Sequence, residues 1–181
     1  MLRFGPTGQY RFGRSDVDDG AEPAGDRRTF EAGTFGALEF VDQADPRRRL
    51  RLDARVQHDL LGEHDGLIAS AAVQGWYPVR SWFEGVVALG TTYGSADYMS
   101  TYFDVRAADL AQSGLDAFEA DGGFRDVRLT LGAMVPVTDH VLVGAGLMLM
   151  RLVGDAADST IVDDAGSHNQ LSGGIGAAYA W

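Results

Sequence analysis

The sequence predicts an all-β protein, an antiparallel up-and-down transmembrane barrel contributing about eight strands. Three observations predict it. Apolar and charged residues alternate over segments of ten or more residues, connections alternate between long and short, and 24 of 181 residues are glycine while only 5 are proline. Alternation with period two puts one residue set on each face of a strand. Strands of about ten residues suit a tilted bilayer crossing better than a soluble domain, where five or six is usual. Glycine near twice its ordinary share of about 7% fits curved strands and a crowded interior.

The elements follow in order. Leu2, Phe4, Pro6, Gly8, Tyr10 and Phe12 oppose Arg3, Gly5, Thr7, Gln9 and Arg11, which gives a first strand. A second is expected over 29–41. The clearest is 49–61, where Leu50, Leu52, Ala54, Val56, His58 and Leu60 alternate with Arg51, Asp53, Arg55, Gln57 and Asp59. On a helix those charges would surround the axis, whereas on a strand they form one ladder behind an apolar face. Strands are then expected over 66–79 and 82–94, followed by a third clear alternation, Val127, Leu129, Leu131, Ala133, Val135 and Val137 against Asp126, Arg128, Thr130 and Gly132. The last two are expected over 141–153 and 169–181. Long loops fall at 15–28, 95–122 and 154–168. Short turns fall at Asp45-Pro46, Pro78-Val79-Arg80 and Thr138-Asp139, and the brief 62–65 link breaks the pattern on the long-loop side. Outer-membrane barrels carry short periplasmic turns and longer outer loops. The long loops hold Asp16, Asp18, Asp19, Asp109, Glu119, Asp121, Asp155, Asp158, Asp163 and Asp164, and are expected to be solvated and partly mobile.

Composition narrows the function. A net charge of −11 argues against nucleic acid as a partner, since phosphate binding needs a basic surface. With no cysteine there is no disulfide framework and no thiol chemistry, and all 15 basic residues are arginine. No run approaches the ~20 apolar residues of a membrane helix, and the first 14 residues lack the pattern of a signal peptide.

The candidate lumen charge ladder is Arg51, Asp53, Arg55, Asp59, Arg125, Asp126 and Arg128. It is either a pore lining or a salt-bridged plug, and a small barrel, being filled by its own side chains, favours the plug. Four histidines (His58, His64, His140 and His168) and several serines give no triad spacing, so no catalytic residue is expected. The aspartates of 154–164 lack a calcium-loop pattern, and neither metal nor cofactor is expected. Trp76, Tyr77, Trp82 and Phe83 read as an interfacial girdle. A soluble β-sandwich would use the same alternation with its apolar face turned inward.

Several motifs carry a family resemblance: Tyr102-Phe103-Asp104-Val105, Gly123-Phe124-Arg125-Asp126-Val127, Thr138-Asp139-His140, and the most specific, Arg151-Leu152-Val153-Gly154-Asp155-Ala156-Ala157-Asp158-Ser159, with Asn169-Gln170 opening the last strand. Together with Tyr10-Arg11-Phe12-Gly13-Arg14, they make the chain similar to the MltA-interacting protein (MipA)/OmpV family of outer-membrane proteins. Gly176, Tyr179 and Trp181 resemble the terminal signal read during outer-membrane insertion. The resemblance implies a non-catalytic scaffold in the Gram-negative outer membrane, in contact with its lipid, whose partners are a murein hydrolase and a murein synthase. The alternative is a channel for small solutes, with a lipid-modifying enzyme a third reading. Family members normally carry a signal peptide and further strands ahead of the position of Leu2, so the resemblance implies a single-domain native barrel of ten to twelve strands. Thr160 stands where the family often has proline.

Overall fold

The computed structural model describes residues 1–11, 28–105, 115–164 and 166–179. Phe12, Asp16, Asp18, Asp19, Asp109 and Trp181 therefore lie outside the described residues. Eight strands follow one another in space as in sequence: β1 (Leu2–Arg11), β2 (Thr29–Val41), β3 (Arg49–Asp59), β4 (Leu67–Arg80), β5 (Phe83–Gly94), β6 (Gly123–Pro136), β7 (Val141–Leu152) and β8 (Asn169–Tyr179). All neighbouring pairs are antiparallel. The sheet curls into a half-barrel with β1 and β8 at its two edges.

Register fixes the two faces. Glu31 pairs Asp59, Arg55 pairs Ser70, Ser70 pairs Thr92 and Thr92 pairs Asp126, so these residues share the concave side. Leu38, Leu52, Val73, Leu89, Leu129 and Leu149 line the convex side by the same pairing. That side stays bare of protein: Phe4 is 80% exposed and Ile175 90%. An apolar surface of this extent is far beyond the few hundred Å² that a soluble monomer shows. Its height also fits lipid. On β3 the apolar run lies between Arg48 and His58, about 33 Å along the strand at ~3.3 Å per residue, or ~25 Å high at a tilt of ~40°.

Two strand irregularities re-aim side chains, as bulges do. The β5–β6 register shifts at Thr92/Tyr93, and Arg125 is the extra residue. The β4–β5 register shifts between Pro78 and Arg80, which brings Arg80 opposite Phe83 on the convex side. The expected turn at Pro78-Val79-Arg80 is accordingly displaced to Ser81-Trp82, because β4 continues through Arg80. Trp76, expected in the girdle, pairs with Arg49 on the concave side, where the Arg49 guanidinium lies 4.7 Å from its ring centroid.

The buried apolar core does not lie within the sheet. It sits at the long-loop end, where Ile68 and Leu152 meet Tyr98, Met99 and Phe103 of helix α1 (Ala96–Phe103), Ala120, and Ala156 and Val162 of the helical turns α2 (Asp155–Asp158) and α3 (Thr160–Asp164). The expectation that the long loops are solvated is thus corrected in part. Asp158, Asp163 and Asp164 are exposed, but segments 95–105, 115–122 and 153–164 pack on one another as a cap. Their apolar residues have no other place to be buried, since the convex face offers no protein surface to pack on. No described helix is long and apolar enough to cross a membrane.

Candidate functional site

Beneath the cap, the concave face carries a buried polar network. Asp126, at 0% exposure, is its anionic centre. Arg125 approaches its Oδ2 at 2.6 Å and Arg128 approaches its Oδ1 at 3.1 Å. Strict alternation would turn Arg125 to the convex side, away from Asp126, and the bulge at Thr92/Tyr93 accounts for its inward position. Arg125 also donates to the Tyr98 hydroxyl and lies 5.6 Å from that ring's centroid, so α1 is tied to β6. A cation against an aromatic face in a water-poor site is favourable by ~2 kcal/mol or more.

Across the mouth, β1, β2 and β3 supply a second group. Glu31 is buried and accepts from Arg11 Nε at 3.1 Å and Nη2 at 3.0 Å. His64, also buried, brings Nε2 to 3.4 Å from Glu31 Oε1, while its Nδ1 accepts the Gly66 N–H at 3.0 Å. These two contacts assign the proton to Nε2. Both ring nitrogens are then occupied, which leaves His64 no lone pair for base catalysis. Asp59 accepts from the Thr29 hydroxyl, from Leu61 N–H at 2.9 Å and from His64 N–H at 2.7 Å, and so anchors the short 62–65 link. Arg11 lies 5.9 Å from the Tyr98 ring centroid and 5.6 Å from that of Tyr102, joining the two groups through α1. Burial pushes the Tyr102 phenol up to about 12, so it stays neutral at any working pH.

Helix α1 reaches this position because two glycines admit it. A Cβ on Gly94 would lie 2.5 Å from Tyr98 Cδ1, and one on Gly66 would lie 2.6 Å from the Tyr98 backbone nitrogen. No side chain fits either place. The remaining loop is laced to α1: Ser159 donates to Phe103 O at 2.6 Å, Ala120 N–H to Asp104 Oδ1 at 2.7 Å, and Asp121 N–H to Asp155 Oδ2 at 2.7 Å.

The residues singled out from the sequence distribute as follows. Arg125, Asp126 and Arg128 come together on β6, whereas Asp59 belongs to the other group and holds hydroxyl and amide donors. Arg51 and Asp53 stand 3.8 Å apart further down the wall, and Arg55 bonds Ser70 Oγ at 2.9 Å. In the motif loop, Gly154 accepts from Ala157 N–H at 2.8 Å at the start of α2, Asp155 and Ser159 hold the cap, and Asp158 faces outward. Arg151 reaches Asn169 Oδ1 at 3.3 Å at the long-loop end of the sheet, and Gln170 pairs with Met150 on the concave face. Gly176 and Tyr179 lie on β8, both open to the surroundings. Sequence reasoning missed Arg11, Thr29, Glu31, His64 and Tyr98 as members of the network. The parity of Thr29 and Glu31 along β2 was the available signal.

A family model described as MltA-interacting protein MipA matches residues 1–181. No curated protein matches the chain, and no solved structure does. A match over every residue of an all-antiparallel half-barrel leaves one assignment, and the chain belongs to the MltA-interacting protein (MipA) family.

Proposed function

We propose that the chain is a non-catalytic scaffold of the Gram-negative outer membrane, joining a murein hydrolase to a murein synthase. The observation that carries this reading is the filled mouth of the half-barrel. There Arg11, Glu31, Asp59, His64, Arg125, Asp126 and Arg128 engage one another or nearby polar groups, so the chemistry of the interior is spent on structure. Work done on other molecules then falls to the exposed surfaces. The family's name supplies the hydrolase as a partner, and the bare apolar convex face supplies the reason for a lipid surround.

The same reading bears on the free edge of β1. Met1 and Glu39 exchange both backbone bonds, at 2.5 and 2.8 Å, so the even-numbered residues of β1 present their backbone groups to the free edge. Pro6 falls among them and withholds one donor. An open edge does not persist in hydrocarbon.

The test pairs capture with conduction. Protein folded in detergent is expected to retain a murein-degrading transglycosylase from periplasmic extract and to leave a planar bilayer silent. Steady single-channel current with no retained hydrolase would instead establish the channel reading.

A further inference from the structure

The short-turn rim carries a second arrangement that the scaffold reading leaves unused. Three arginines in a row, Arg47, Arg48 and Arg49, separate there by role. Arg47 is gripped by Asp45 at 3.1 Å through both Nε and Nη2, and its Nη1 reaches Arg80 O at 3.3 Å and Ser81 O at 3.2 Å. The Arg47 hydrogen bonds hold the Asp45 carboxyl below its usual range, so this pair is charge-compensated and acts as a strut between two turns. Arg49 turns inward onto Trp76. Arg48 remains on the convex side, half exposed, lying 5.2 Å from the Tyr77 ring centroid and only loosely paired with Asp42 at 3.9 Å.

The strut fixes the β4–β5 turn beside Arg48, and the register shift after Pro78 sets Arg80 on the same convex side, opposite Phe83. Arg80 makes no side-chain ion pair among the described residues. Tyr77 is 58% and Trp82 60% exposed next to them, with the Trp82 ring centroid 5.7 Å from that of Phe83 in a tilted pair. One row further up, the wall is Phe40, Leu50, Gly75 and Val87, with no charge at all. Two arginines thus stand where the apolar band ends, Arg48 against the Tyr77 ring and Arg80 in register with Phe83, among aromatics suited to the headgroup level. What meets them at that depth in a bilayer is lipid phosphate, which an arginine fork grips with two parallel hydrogen bonds.

We propose that Arg48 and Arg80, flanked by Tyr77, Trp82 and Phe83, form a headgroup site for an anionic phospholipid in the leaflet at the short-turn end. The site rests on the membrane reading given above. Acyl chains of the bound lipid would run along the uncharged Leu50–Val87 row, and the Arg47 strut holds the backbone of the turn that carries Arg80.

The experiment is native mass spectrometry of the detergent-folded full chain titrated with phosphatidylglycerol and, separately, with phosphatidylcholine. Phosphatidylglycerol adducts are expected to persist at collision energies that strip phosphatidylcholine, with an apparent affinity at least about tenfold higher. Arg48→Gln combined with Arg80→Gln should abolish that preference, while Arg151→Gln, at the opposite rim, should leave it intact. Arg48→Lys, which keeps the charge and folds with less disturbance, should retain part of it. Millimolar inorganic phosphate should not displace the lipid; displacement would mean a free-phosphate site and would overturn the assignment to lipid. Equal retention of the two lipids, or an unchanged preference in the double variant, would also overturn it. Failure of the wild-type chain to fold in detergent at all would show itself as the absence, on a gel, of a band whose migration changes on heating, and would remove the membrane reading and this site together.

Discussion

Asp126→Ala should cost about 3–5 kcal/mol of stability, the expected result of breaking a buried ion-pair group by removing one partner. Asp126 is wholly buried between Arg125 and Arg128, and its loss leaves two guanidiniums facing each other with no intervening anion. The aromatic ring of Tyr98 cannot replace it, since one ring face contributes less than a carboxylate at 2.6 Å. Urea unfolding of the detergent-folded protein, followed by tryptophan fluorescence, measures the change. Asp126→Asn, which keeps the shape and one acceptor, should fall between the two. A shift below about 1 kcal/mol for the alanine variant would mean that water, not Asp126, screens the arginines, and the mouth would then be open rather than filled.

Gly94→Val should lift the cap while leaving the sheet standing. The added Cβ alone meets Tyr98 at 2.5 Å and Met99 Sδ at 3.1 Å, and the two methyls extend further into α1. Overpacking of this kind costs about 1–3 kcal/mol, which corresponds to a rise of roughly five- to 150-fold in the open population of the cap. Limited proteolysis should accordingly cut within segment 95–105 at a correspondingly faster rate, with the strands still protected. Gly36→Val is the matched control, because a Cβ there meets nothing within 4 Å. Equal cleavage of the Gly94 variant and the control would mean that α1 is not seated on Gly94. Such a variant should also admit current if the cap is what closes the mouth.

These two sites differ in how far the sequence disclosed them. The strands were legible because a wall apolar on one face enforces the alternation almost without exception: the expected 49–61 is β3, ending two residues earlier at Asp59, and Thr29–Val41 agrees to the residue. Arg128 and Asp126 were placed on one face by the same rule. Arg125 was placed in the same ladder although its parity is that of the convex set, and Arg80 was not placed on its face; in both cases a bulge inserts one residue and reverses parity at a position that local sequence does not mark. The pairing of Glu31 with Arg11 and His64 joins three segments separated by 20 and 33 positions, and depends on register rather than on spacing along any one strand. The cap escaped for a related reason. Its aspartates suggested a solvated loop, whereas its burial rests on scattered residues, Tyr98, Met99, Phe103, Ala156 and Val162, that show no single period. Family motifs fared differently, because Gly154 opens the helical turn α2, Asp155 ties it to Asp121 and Ser159 ties it to α1. That recurrence gives the motif a structural reason without giving it a chemical role.

The central claim is that the convex face looks at lipid and the concave face does not. The chain has no cysteine, so single cysteines can be placed without background along β3 and spin-labelled in the folded protein in liposomes. Oxygen accessibility should alternate residue by residue, high at Leu50, Leu52, Ala54 and Val56 and low at Arg51, Asp53, Arg55 and Gln57. A flat profile, or one in which a water-soluble relaxant reaches the leucine positions as readily as oxygen does, would contradict the claim and return the chain to a soluble β-sheet protein.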